Sequence, residues 1–160
     1  MKCFRQTEFA FSLVEVTLAL GVAAFSLLVI LAMLPVSLKT NQASTQQTIA
    51  NSIISQVAAD LRAAARLPPG QQSKQFSLHP HNGGAWDPTP DYIFFTGDGR
   101  PTGTNQTTAP SDAIFRATIT YRLPPTDTTS LADIKVSWPA QQADMTKVAG
   151  SVEMFVAINR

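Results

Sequence analysis

The chain has 160 residues, a length that fits one domain plus an anchoring segment. Twelve basic residues against 11 acidic ones leave a formal charge of +1, which argues against nucleic-acid binding driven by bulk charge. Cys3 is the single cysteine, so no internal disulfide framework is available, and 11 prolines with 8 glycines predict a loop-rich outer part. In chain order, a short leader carrying Lys2, Arg5 and Glu8 runs into Phe11-Ser12-Leu13-Val14-Glu15. From Val16 to Leu38 no residue is charged. As a helix that stretch would extend about 35 Å, enough to cross a hydrocarbon core of about 30 Å. Glu15 stands at its edge, where a carboxylate costs about 2–3 kcal/mol on insertion scales. Taken alone, it is either a solvated flanking charge or a paired, functional one.

Ordinary export signals fit this segment less well. The apolar run is longer than that of a secretory signal, and Leu38-Lys39-Thr40-Asn41-Gln42-Ala43 lacks a small-x-small cleavage pattern. A lipoprotein signal needs its cysteine after the apolar run, whereas Cys3 precedes it. Lys2 and Arg5 on the leader side favour a leader-in, bulk-out orientation, a bias that Lys39 weakens.

Ala10-Phe11-Ser12-Leu13-Val14-Glu15-Val16 resembles the processing site of the type IV pilin and type II secretion pseudopilin superfamily. The apolar helix and the later strands also resemble, more narrowly, the small pseudopilin-like cassette proteins of Verrucomicrobia. The resemblance implies a prepilin peptidase cutting between Ala10 and Phe11, with Phe11 becoming an N-methylated terminus. Ala10 stands where the family usually has glycine, a small-for-small exchange. Glu15 falls on the family's fifth mature residue, and its implied role is assembly and register. Physically, an amine freed at Phe11 lies four residues from Glu15, and opposite charges at an apolar boundary attract strongly. An unpaired carboxylate there is penalised, so a neighbour's amine would fix axial register more than it adds stability. Cleavage would remove Cys3 with the leader and leave ten basic and ten acidic residues. The implied partners are the peptidase, other pilin or pseudopilin subunits, an inner-membrane assembly platform and membrane lipid, with no nucleic acid. The implied location is the inner membrane, single-pass, N-terminus cytoplasmic and head periplasmic, and then a periplasmic filament.

Beyond the span, Ile49, Ile53, Val57 and Leu61 recur every four residues, flanked by Ala50, Ile54, Ala58 and Ala65, which predicts a one-sided amphipathic helix. Leu67-Pro68-Pro69-Gly70 should stop it, since proline lacks an N–H and disfavours helix in the residue before it. If continuous, Phe11 to Arg66 is one helix of roughly 84 Å, with Pro35 as its kink because the bond to the Leu31 carbonyl is lost. The predicted organisation is a leader (1–10), a transmembrane and assembly helix (11–38), an amphipathic outer half (39–67) and a β-sheet head (68–160).

In the head, Gln75–Leu78 reads as a short strand and Asp91–Thr96 as a second, followed by a Gly97-Asp98-Gly99 turn. Ala113–Leu123 alternates Phe115, Ala117, Ile119 and Tyr121 with Arg116, Thr118, Thr120 and Arg122, as a half-buried antiparallel strand does. Asp133–Trp138 and Gly150–Asn159 complete the set, the latter alternating Val152, Met154, Val156 and Ile158 with Ser151, Glu153 and Phe155. Strands with one apolar face need a cover, and the Ile49–Leu61 stripe is the candidate. The expected fold class is therefore α+β. A long N-terminal helix, transmembrane in its first half, packs by its second half against a small antiparallel sheet, as in pilins.

The head offers little chemistry. His79 and His81 have an i, i+2 metal spacing without an accompanying carboxylate cluster, which favours solvated loop histidines. Thr96-Gly97-Asp98-Gly99-Arg100 has one carboxylate where a calcium site wants several oxygens, so a hairpin turn is the expectation, although some pseudopilin heads hold calcium. Ser130 has no His/Asp arrangement at a catalytic spacing. Asn105-Gln106-Thr107 fits a glycosylation acceptor only as an isolated tripeptide. Trp86 and Trp138 read as packing residues. No cofactor, metal or catalytic residue is expected. The leading functional expectation is a minor pseudopilin-like structural subunit. The alternative is a single-span, membrane-anchored binding module that does not enter a filament.

Overall fold

The computed structural model describes residues 12–68, 70–79, 89–122, 129–144 and 146–159. The chain divides into two compact units, Met1–Gln42 and Ala43–Arg160. Helix α1, Leu13–Ala64, begins in the first unit and ends in the second, with Pro35 inside an uninterrupted helical assignment. Of the expected Phe11–Arg66 span, Phe11 lies outside the described residues.

In the first unit, Leu18, Val22, Phe25, Leu28 and Leu31 are all exposed. Among the described residues, α1 alone is long and apolar enough to cross a membrane. Two hydroxyls within this stretch bond locally: Thr17 Oγ1 donates to the Val14 carbonyl at 3.0 Å and Ser26 Oγ to the Val22 carbonyl at 2.8 Å. Such bonds to the preceding turn leave neither hydroxyl with an open donor.

In the second unit, α1 buries Ala50, Ile53, Ile54, Val57, Ala58, Asp60 and Leu61. Three backbone bonds close its end, Ala65 to Leu61, Arg66 to Ala63 and Leu67 to Ala64, and Pro68 follows. Among the described residues, five strands form one antiparallel sheet: β1 Asp91–Phe95, β2 Pro101–Thr104, β3 Phe115–Tyr121, β4 Thr129–Trp138 and β5 Gly150–Asn159. Their spatial order is β2-β1-β3-β4-β5. Ile53, Val57 and Leu61 share one buried cluster with Ile93, Phe95, Phe115, Ile119, Ile134, Val136, Val156 and Ile158. The helix stripe and one sheet face thus make a single two-layer core. Trp138 packs edge-on against Phe115 with ring centroids 5.8 Å apart.

Three expectations need correction. Gln75–Leu78 is not a strand: Lys74–Phe76 is a turn, and Ser77 has a φ of 52°. Phe76 and Leu78 are nonetheless fully buried and plug the core. A fifth strand, β2, was not anticipated, because Pro-Thr-Gly-Thr carries no apolar alternation. It pairs with β1 through a tight turn in which the Thr96 N–H donates to the Arg100 carbonyl at 2.9 Å. Gly99 has a φ of +79°, and a Cβ there would lie 3.4 Å from Ile49 Cγ2, so the turn rests directly on the helix. Finally, the outward face of β3 is not simply solvated. Arg116 is only 6 % exposed, its guanidinium lies 5.4 Å from the Phe94 ring centroid, and Nη1 donates to the Gln142 carbonyl at 3.5 Å.

Candidate functional site

The residues singled out by the sequence lie at the start of α1. Ala10 and Phe11 fall outside the described residues. Ser12 is the N-cap: its Oγ accepts the Val14 N–H at 3.2 Å, and its carbonyl accepts the Val16 N–H at 3.2 Å. Glu15, three residues on, accepts the Ser12 N–H through Oε2 at 3.2 Å. Ser12-Leu13-Val14-Glu15 is thus a capping box, which satisfies backbone donors that a helix start otherwise leaves open. A carboxylate in the first turn also faces the positive end of the helix dipole.

Sequence reasoning missed this role, although the S-x-x-E spacing that carries it was in plain view. The cap does not exhaust the carboxylate, whose two oxygens offer about four acceptor sites. One is taken by the Ser12 N–H, so capacity remains for an amine. Val16, Ala19, Leu20 and Ala23 lie beside Glu15 on one exposed face of the helix. Pro35 lies farther along the same apolar stretch, where its ring removes the N–H that would reach the Leu31 carbonyl.

The head holds its polar groups in structural clamps. Asp60, buried on the helix, accepts the N–H of Gln75 at 3.2 Å and of Phe76 at 3.1 Å. The Ser73 N–H donates to the Leu78 carbonyl at 3.2 Å, and Ser73 Oγ accepts the Leu78 N–H at 3.0 Å. Asp91, buried at the start of β1, accepts the His79 N–H at 2.9 Å through Oδ2, while Oδ1 meets the His79 ring Nδ1. His79 is therefore held in place by Asp91 through both its backbone and its ring, and His81 lies outside the described residues. Tyr121 donates its hydroxyl to the His79 carbonyl at 3.4 Å. Burial, followed by the negative charges of Asp91 and Asp60, pushes the Tyr121 phenol well above its ordinary pKa of 10.0.

The Thr96–Arg100 segment is the β1–β2 turn. Asp98 accepts from Thr96 Oγ1 and pairs with Arg100 Nε at 3.0 Å. The Thr96 hydrogen bond, then backbone donors and the Arg100 charge, hold the Asp98 carboxyl below its usual value. Among the described residues no three His, Cys, Asp or Glu side chains group as metal ligands. Ser130 is buried, and its Oγ has no hydrogen-bond partner among them. What the described residues present is thus a capped, exposed apolar helix carrying Glu15, and a head in which Asp60 and Asp91 hold the segment before β1. No protein-family model, curated protein or solved structure matches this chain.

Proposed function

We propose that this chain is a minor pseudopilin-like structural subunit, made as a single-pass inner-membrane precursor and assembled into a pilus-like or secretion-type periplasmic filament. The observation that supports it most is the conjunction at the start of α1. The Ala10–Val16 segment resembles a prepilin processing site, and it leads straight into an apolar, exposed helix whose first turn carries Glu15. An α+β layout, with one long N-terminal helix and an open antiparallel sheet, accords with that reading. In this proposal a prepilin peptidase cuts after Ala10 and Phe11 is N-methylated. Glu15 then holds the freed amine, its own or a neighbour's, in addition to the Ser12 N–H.

Intact-mass analysis of the membrane-extracted protein tests the proposal. The expected product lacks residues 1–10 and carries one added methyl group, and Ala10→Leu blocks the cut by crowding the peptidase. A chain that still begins at Met1 would overturn it in favour of a membrane-anchored binding module.

A further inference from the structure

We draw no further inference here: the strongest candidate, the side-chain cluster on the outward face of β3 and β4 where Arg116 Nε, Thr118 Oγ1 and Ser137 Oγ are buried without a hydrogen-bond partner among the described residues, carries nothing, because those donors are sealed from solvent and nothing in the structure shows a ligand or a path by which one would reach them.

Discussion

Glu15 accepts the Ser12 N–H and stands one turn into an apolar helix, so one carboxylate has two separable roles. Glutamine can fill the capping-box position but carries no charge. Glu15→Gln should therefore keep the start of the helix while weakening any pairing with the Phe11 amine, and Glu15→Leu should lose both. Crosslinking between subunits in the membrane reads the difference. The register role predicts falling yields from wild type through Gln to Leu, whereas a purely capping role predicts that Gln equals wild type. Asp60 is the comparable residue in the head. Asp60→Ala strands the Phe76 N–H in the core and should cost about 1–3 kcal/mol, measured as a lower denaturant midpoint of the detergent-solubilised chain. Of the two local partners, only Glu15's was written in the sequence, as the S-x-x-E spacing from Ser12. Glu15 was read through its charge rather than its spacing, and Asp60 bonds amides fifteen and sixteen residues away, which no local pattern encodes.

At the scale of elements, the strands with clean alternation were legible: Phe115 to Tyr121 bury every second side chain, as their period-2 pattern predicts. Two segments were not. Phe76 and Leu78 have strand spacing, but the Gln75 and Phe76 amides go to Asp60 and the Leu78 amide to Ser73, so no ladder forms. β2 lacks an apolar signal because, as an edge strand, it pairs on one side and buries none of its residues. Packing sets a tighter limit at the β4–β5 junction. A Cβ on Gly150 would come within 2.3 Å of the Trp138 ring. Gly150→Ala must push a largely buried indole off its place against Phe115 and should destabilise the chain by about 1–3 kcal/mol. Differential scanning calorimetry measures it, and Trp138→Phe in the same background should recover part of the loss.

For the molecule as a whole, Tyr121 gives a pH dependence whose sign is fixed. Its folded pKa is raised above the unfolded value of 10.0, so the folded state holds its proton longer. The stability this brings is fully present below pH 10 and is lost as pH rises beyond it, by at most about 1.4 kcal/mol per pH unit. Tyr121→Phe should flatten the alkaline arm of the unfolding midpoint, read by urea titrations between neutral pH and pH 11. The α+β layout itself was legible because two periodicities, near four for Ile49 to Leu61 and two for the later strands, each mark one apolar face.

The shared core also has a consequence in time. It joins Ala50, on α1, to Ile158, near the end of β5. At ~5–20 residues per second, a ribosome needs on the order of 5–20 s to travel between them. Throughout that interval Ile53, Val57 and Leu61 are already synthesised, while the sheet that will cover them is incomplete. The emerging chain therefore carries an uncovered apolar stripe just behind its long apolar segment, and for those seconds it is exposed to the misassociation that the finished sheet prevents.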